Sequence, residues 1–70
     1  MNVLGQRIKQ LREERKVTQR ELRDLLEYKE TRSIQRIESG ETLVDHEKLI
    51  KLADFFEVSA DFLLGRTDTH

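Results

Sequence analysis

The chain is 70 residues long, contains no cysteine and carries a formal net charge of −1. A chain of this length forms one domain, and the absence of cysteine excludes disulfides and makes a zinc site built on two histidines unconvincing. No apolar run approaches the roughly 20 residues of a membrane-spanning helix, and no signal peptide is visible. We therefore expect a cytoplasmic protein without a metal or other cofactor.

Charge is distributed unevenly along the chain. Residues 1–40 hold ten Lys or Arg against seven Asp or Glu, whereas residues 41–70 hold three against seven. A net charge near zero is not typical of a nucleic-acid binder. The positive first half nevertheless suits a polyanion, and the acidic second half would orient its approach.

The first two helices are predicted from apolar spacing and from a capping signal. Leu4, Ile8 and Leu11 fall at i, i+4 and i+7, which predicts a helix from about residue 3 to residue 15. Thr18 followed by Glu21 forms a capping box that opens the second helix. The side of this helix expected to be buried comprises Leu22, Leu25 and Leu26, and residues 27–30 are predicted to form the turn.

A third helix is predicted over about residues 30–39, with Gly40 as its left-handed stop. Ile34 and Ile37 form its apolar side, and the other positions carry short hydroxyls, an amide and two guanidiniums. These are the groups that hydrogen-bond base edges and phosphates in a DNA groove. The second and third helices together therefore predict a helix-turn-helix.

Two more helices complete the predicted domain. Asp45 caps a fourth, and Ser59 caps a short fifth that Gly65 ends. The apolar face expected for the fourth comprises Leu49, Ile50, Leu52, Ala53 and Phe56. Residues 1–65 are thus predicted as one all-α domain and residues 66–70 as a flexible tail. We expect His46 to be partly buried, and partly exposed apolar side chains, either core or dimer surface, at Phe55, Phe62 and Leu64.

An ordered set of segments resembles a known family over essentially the whole chain. They are LGQRIKQLREER (4–15), TQRELRDLL (18–26), SIQRIESGE (33–41), LIKLADFFEVS (49–59) and DFLLG (61–65). In this order and spacing they are similar to the Xre/Cro/phage-repressor regulators. The resemblance implies a compact five-helix, lambda-repressor-like DNA-binding domain, with the N-terminal end of helix 3 in the major groove.

The resemblance also implies roles for individual residues. The base-facing candidates are Thr31, Arg32, Gln35 and Arg36. The phosphate-contacting candidates are Gln19, Lys29 and Arg36. Arg12 and Glu38 are expected to form a partly buried structural ion pair, so Arg12 is not assigned to DNA.

Four departures from the family pattern bear on these roles. Arg23 stands where a small residue is preferred, and Glu27 stands where the turn usually has glycine. From Leu22 to Ile34 the spacing is twelve instead of eleven, which leaves the register of helix 3 open by one residue. In the loop after helix 3, Glu41 and Val44 occupy places that often hold a basic phosphate contact and a proline.

These features favour a sequence-specific DNA-binding regulator, most simply a repressor whose homodimer covers a pseudo-palindromic operator. The alternative is a protein-interaction module on the same fold, an antitoxin or antirepressor with a protein partner. An enzyme is not expected, because the sequence shows no paired-carboxylate pocket, no Ser/His/Asp set, no cysteine nucleophile and no glycine-rich phosphate loop. The operator sequence, the inducing signal and activation as opposed to repression stay open.

Overall fold

The computed structural model describes residues 3–68. It consists of five helices, namely α1 (Val3–Glu14), α2 (Gln19–Leu25), α3 (Arg32–Ser39), α4 (His46–Phe56) and α5 (Ala60–Leu63). Residues 3–68 contain no strand, so the predicted all-α fold class is confirmed. None of the described helices is long and apolar enough to cross a membrane.

The core lies around α1, which packs against both α3 and α5, while α2 packs on α3 and α4 packs on α5. The side chains most completely removed from solvent are Ile8, Leu11, Leu22, Ile34, Leu52, Phe56 and Leu63. They come from all five helices and form one continuous cluster. Burial of apolar surface against α1 therefore fixes where α2 and α3 sit.

A glycine allows α1 and α3 to approach closely. A Cβ at Gly5 would collide with the carbonyl oxygen of Ile37 and would lie 2.8 Å from that of Glu38. Real side chains do not come this near to backbone atoms, so any larger residue would push the two helices apart. Gly5 thus sets the distance between the first helix and the last turn of the third.

Every helix ends in a left-handed residue that is closed by a backbone hydrogen bond to the last turn. The positive-φ residues are Lys16, Glu27, Gly40, Glu57 and Gly65. After the first, second and fourth of these, an apolar residue donates its N–H back into the helix: Val17 to Arg12 at 2.8 Å, Tyr28 to Arg23 at 3.0 Å and Val58 to Ala53 at 3.0 Å. This is the Schellman arrangement, which satisfies helix-end carbonyls. Three of the five left-handed positions are therefore occupied by residues other than glycine.

The predicted N-caps are confirmed. The side chains of Thr18, Asp45 and Ser59 accept from the backbone N–H three residues on, at 3.1, 2.9 and 3.0 Å respectively. The hydroxyl of Thr18 also donates to the Glu21 carboxylate at 3.4 Å. The helix starts at α2, α4 and α5 were therefore readable from local sequence alone.

Two burial predictions, for Ile50 and His46, are wrong, and the structure decides the alternative that was left open for Phe62. Ile50 is 41% exposed, because α4 turns Leu52, Ala53 and Phe56 to the core and leaves Ile50 beyond the edge of that stripe. Phe62 is only 7% exposed, since the short α5 docks on α1 and the Arg7 guanidinium covers its ring at 4.2 Å. His46 is exposed, as it opens the first turn of α4.

The segment after α5 contacts α1 through one arginine. Arg7 donates to the carbonyl oxygens of Phe62 at 2.7 Å and Thr67 at 2.6 Å, and it pairs with Asp68 at 2.8 Å. Residues 67 and 68 of the tail predicted to be flexible are therefore held on the domain. Residues 69–70 lie outside the described residues.

Candidate nucleic-acid interface

Two short helices and the turn between them position the candidate site. Leu22 of α2 and Ile34 of α3 are both fully buried and anchor the pair against the core. Glu27, at φ 62°, reverses the chain after α2, so the turn holds a left-handed residue without glycine. Helix α3 begins at Arg32, two residues later than predicted, with Thr31 as its N-cap residue. The long spacing between Leu22 and Ile34 is thus taken up in the turn, and both apolar anchors stay in the core.

One face of α3 is directed away from the core. Ile34 and Ile37 are buried, whereas Arg32, Gln35 and Arg36 are exposed. The three exposed side chains line one shallow groove, which Ser39 and Glu41 extend at its far end. The structure therefore brings together three of the four base-facing candidates. The fourth, Thr31, is half-buried and does not line this groove.

Behind the groove, Arg12 of α1 and Glu38 of α3 form an ion pair. The Nε of Arg12 lies 2.6 Å from Oε2 of Glu38 and its Nη2 lies 3.2 Å from Oε1. The two side chains are 14% and 5% exposed, respectively. Arg12 also donates to the carbonyl oxygen of Val17 at 3.2 Å, which ties the end of α1 to the same pair. These three guanidinium hydrogen bonds all lie within the domain and join α1 to α3 and to the residue before α2's N-cap.

A hydrogen-bond chain runs from this ion pair to the groove. Gln19, the first residue of α2, donates from Nε2 to Oε1 of Glu38 at 3.0 Å. Its own Oε1 accepts from Nε2 of Gln35 at 3.5 Å, a longer contact. Gln19 is half-buried, so it supports α3 from behind while its remaining N–H is available to a ligand. We call Arg12, Glu38, Gln19 and Gln35 the amide relay.

Much of the positive charge in the first half of the chain is committed inside the domain. Arg7 holds the tail, Arg15 donates to the carbonyl oxygen of Phe56, and Arg23 pairs with Asp24 at 2.9 Å. Among the salt bridges of residues 3–68, none involves the cations near α3, which are Arg20, Lys29, Arg32 and Arg36. These four are exposed. Four exposed cations at the helix-turn-helix thus make no salt bridge among the described residues, and neither do the exposed carboxylates of Glu30 and Glu41 in the same segment.

The two unusual residues of the helix-turn-helix are accommodated by polar contacts. The stem of Arg23 is largely covered, with 23% of the side chain exposed, and its head reaches Asp24. This is the expected way for an arginine to occupy a packed position. Glu27 accepts a hydrogen bond from Lys51 at 3.0 Å, and that contact holds the pKa of the Glu27 carboxyl below its ordinary value.

Sequence reasoning did not find three parts of the site. Glu41 and Ser39 line the groove with the guanidiniums, and Gln19 is bonded to Glu38. The Schellman turn at Gly40 places Glu41, because the Glu41 N–H returns to the carbonyl oxygen of Arg36 at 2.9 Å. The Gly40 signal was visible in the sequence; its consequence for Glu41 was not. Among the described residues, no group of three or more His, Cys, Asp or Glu side chains could hold a metal ion.

Comparison with known proteins places this geometry in context. The model of the helix-turn-helix domain family matches residues 3–63. A solved transcriptional regulator from Listeria innocua is 34% identical, with a TM-score of 0.86 over 93% of this chain. The alignment covers 60% of that regulator, so the chain spans less than two thirds of its length. No curated protein matches the sequence.

A second solved structure has a nearly equal length. It is the P22 c2 repressor protein, in complex with synthetic operator 9T in the presence of Tl+. It is 28% identical, with a TM-score of 0.80, and the alignment covers 91% of this chain and 96% of the repressor chain. With the family model spanning most of the sequence, the chain belongs to the Xre/phage-repressor-like helix-turn-helix family.

Proposed function

We propose that the protein is a sequence-specific transcriptional repressor that binds duplex DNA as a homodimer in the cytoplasm. It acts by occupying a pseudo-palindromic operator and excluding polymerase. The observation that carries the proposal is the exposed row of Arg32, Gln35 and Arg36 along α3, outside every salt bridge within residues 3–68. These hydrogen-bond donors lie on the exposed side of α3, whose other side is packed against the core. Such a row of donors suits a ligand that has many acceptor atoms.

The chemistry of each side chain assigns it a partner in the groove. A guanidinium donates two hydrogen bonds to O6 and N7 of guanine, which suits Arg32 and Arg36. A primary amide bonds to N6 and N7 of adenine, which suits Gln35. Thr31, at the start of α3, offers a hydroxyl or methyl contact. Gln19 and Lys29 contact phosphates, and Arg36 can contact a phosphate as well as a base.

The similarity to an operator complex supports duplex DNA as the partner. The P22 c2 repressor carries its bound operator on a domain that superposes over nine tenths of this chain. At 28% identity, the similarity supports the same fold and the same placement of α3. The operator sequence depends on the base-facing residues of this chain. No catalytic or cofactor role is part of the proposal.

Exposed apolar side chains support the dimer. Phe55 and Leu64, near the C-terminal end of the domain, are 41% and 44% exposed. Pairing through such residues would cover apolar surface that a 70-residue chain otherwise leaves in water. A two-fold dimer then presents its two α3 helices about 34 Å apart, one turn of B-DNA.

The test is selection of duplex DNA from a random pool by the purified chain, followed by a salt titration on the enriched site. We expect a palindromic consensus with half-sites one helical turn apart. The logarithm of the affinity should fall with the logarithm of salt concentration, with a slope of about −0.9 for each phosphate neutralised. The Arg32→Ala/Arg36→Ala double variant is the control and should lose the consensus. Failure of the wild-type chain to enrich any sequence would reject the proposal.

One observation favours a second function, a protein-interaction module such as an antitoxin or antirepressor. Leu43 is 72% exposed in the loop before α4, and Ile50 is 41% exposed on α4 itself. A protein partner that covers these residues would bind with little dependence on salt. Such binding would survive the Arg32→Ala/Arg36→Ala change and would be lost on Leu43→Ser, the opposite of the pattern expected for DNA.

A further inference from the structure

An acidic side chain lies in the groove that the exposed residues of α3 form. Glu41 lines this groove together with Arg32, Gln35 and Arg36. The sequence departs from the family pattern here, since this place often holds a basic residue that contacts a phosphate. The carboxylate therefore needs a different role from the one that the family pattern gives to this position.

The backbone holds Glu41 close to Arg36. Gly40 has a φ of 87°, which turns the chain back at the end of α3. The N–H groups of Glu41 and Thr42 then both donate to the carbonyl oxygen of Arg36, at 2.9 and 3.3 Å. The Ser39 hydroxyl donates to the same oxygen at 3.0 Å. These hydrogen bonds fix the loop that carries Glu41 against the turn of α3 that carries Arg36.

The opposite charges in the groove do not pair with one another. Among residues 3–68, no salt bridge joins Glu41 to Arg32 or to Arg36. All three side chains are exposed. The groove thus presents two guanidiniums, which only donate hydrogen bonds, and one ionised carboxylate, which only accepts them. A ligand that suits the groove must offer acceptors and a donor side by side.

Duplex DNA can offer this carboxylate a donor only from its bases. A phosphate placed against Glu41 would be repelled, because both groups are negatively charged. In the major groove the donors are the N4 amino group of cytosine and the N6 amino group of adenine. A G·C pair presents O6 and N7 of guanine beside the cytosine amino group, whereas an A·T pair places its amino group between two acceptors. A guanidinium and a carboxylate side by side therefore match a G·C pair.

We propose that Glu41 is a specificity-determining residue, which accepts a hydrogen bond from the N4 amino group of a cytosine while Arg36 donates to the paired guanine. This inference rests on the proposed DNA-binding function. At sites where the amino group is missing, the carboxylate faces acceptor atoms or phosphates, and binding is weaker. Glu41 thus favours one base pair and lowers the affinity for other sequences.

The first test selects duplex DNA from a random pool with the wild type, Arg36→Ala and Glu41→Gln. Arg36→Ala identifies the base pair that Arg36 reads. Glu41→Gln gives the position a donor as well as an acceptor, so we expect discrimination for G·C at that same pair to fall by at least about fivefold. Preferences at the Arg32 position should stay sharp.

Glu30→Gln is the matched control for the change in charge. Glu30 is an exposed carboxylate of the same helix-turn-helix, and it does not line the groove. The substitution removes one negative charge, as Glu41→Gln does. We expect the affinity of Glu30→Gln for all sequences to rise, because repulsion of the phosphates is reduced, while its base preferences stay unchanged.

A second measurement removes the donor from the DNA. In a synthetic copy of the selected site, the cytosine of the Arg36 pair is replaced by 2-pyrimidinone, which lacks the amino group. This replacement also weakens base pairing, so the loss of affinity measured with Glu41→Ala supplies the reference. We expect the wild type to lose at least about fivefold more affinity than Glu41→Ala.

The outcomes separate the two proposals. A Glu41→Gln variant that binds all sequences more tightly and keeps its G·C preference, as Glu30→Gln should, overturns this inference while DNA binding stands. Equal losses for the wild type and Glu41→Ala on the 2-pyrimidinone site also overturn it, and so does a change of preference only at a pair that Arg36→Ala leaves untouched. A wild-type chain that enriches no sequence overturns the DNA-binding function and this inference with it. Because Glu41 is exposed, its variants should keep the wild-type melting temperature, which is measured alongside.

Discussion

Arg12 and Glu38, 26 positions apart in the sequence, form a two-point ion pair that is almost closed to solvent, and the same carboxylate also accepts from Gln19. Three helices therefore meet at one acidic side chain. Because Gly5 brings α1 against the last turn of α3, the pair lies directly behind the exposed face of the third helix. The ion pair therefore supports the helix that carries the proposed base-facing residues.

Removing the acidic partner should damage the fold before it damages binding. Glu38→Ala leaves the Arg12 guanidinium covered and unpaired, and breaking one side of a buried pair costs about 3–5 kcal/mol. Urea denaturation followed by circular dichroism measures the loss. Glu13→Ala, an exposed carboxylate on α1, is the matched control and should change the free energy of unfolding by less than about 0.5 kcal/mol. A stable Glu38→Ala variant would show that the pair is not structural.

Arg32→Ala should weaken recognition and leave the fold unchanged. Arg32 is exposed at the first position of α3, so its loss removes a base contact and no core packing. We expect specific affinity to fall by about 1–3 kcal/mol and one base preference to relax. Binding to a selected site and helicity are measured together. Arg66→Ala, an exposed cation after α5, is the control, and unchanged binding by Arg32→Ala would remove that residue from the interface.

Gly40→Val should destabilise the domain. Gly40 has a φ of 87°, a left-handed conformation that is particularly unfavourable for a β-branched residue. A loss of about 1–3 kcal/mol is expected. Gly40→Asn should lose less, since asparagine tolerates this conformation best among residues with a side chain. Equal melting temperatures for the valine and asparagine variants would contradict the assignment of strain to φ.

Glycine placed at two other helix ends should have the opposite effect. Lys16 and Glu57, both at φ 57°, occupy left-handed positions closed by Schellman hydrogen bonds. Lys16→Gly and Glu57→Gly should each stabilise the domain by about 0.5–1 kcal/mol, because relief of strain exceeds the entropy that glycine loses on folding. Glu13→Gly, inside α1, should destabilise by about 1 kcal/mol. Thermal melts of the three variants decide the sign.

The cap at Asp45 should make part of the stability sensitive to acid. The backbone N–H of Lys48 donates to Asp45 at 2.9 Å and holds the pKa of that carboxyl below its ordinary value of 3.8. A carboxyl whose pKa is lowered by folding stabilises the folded state above 3.8, and this contribution is lost as the pH falls through the folded pKa. Asp45→Asn should keep a cap but lose this portion of the pH dependence between pH 7 and about pH 2 in thermal melts. An unchanged pH profile in Asp45→Asn would contradict the assignment.

Local sequence determined the helices and their starts. Thr18, Asp45 and Ser59 cap helices through hydrogen bonds within three residues, and Gly40 ends α3 through its own backbone freedom. Such signals depend only on near neighbours in the chain, so they can be recognised without a structure. The beginning of α3 was less predictable, since Thr31 lies in a helical conformation and makes no side-chain cap.

The residue types of the candidate site could be predicted from the sequence, whereas the hydrogen bonds between its side chains could not. The exposed positions Arg32, Gln35 and Arg36 followed from the helical period set by Ile34 and Ile37. The bond between Gln19 and Gln35 did not, because it depends on how α2 and α3 cross. The sequence also left the burial of Phe62 undecided, since that burial depends on α1, where Arg7, 55 residues away, lies over the ring.

By itself, then, the sequence determined five helices, their caps, the helix-turn-helix and the side of α3 that carries the donors. Only the tertiary structure decided which arginines are used internally and which remain for a ligand. The reason is that a cap or a helical face is set by residues a few positions apart, whereas an ion pair such as Arg12–Glu38 forms only after packing has brought distant helices together. Packing also decided that Gln35, one amide among many polar groups, is held at the end of a relay.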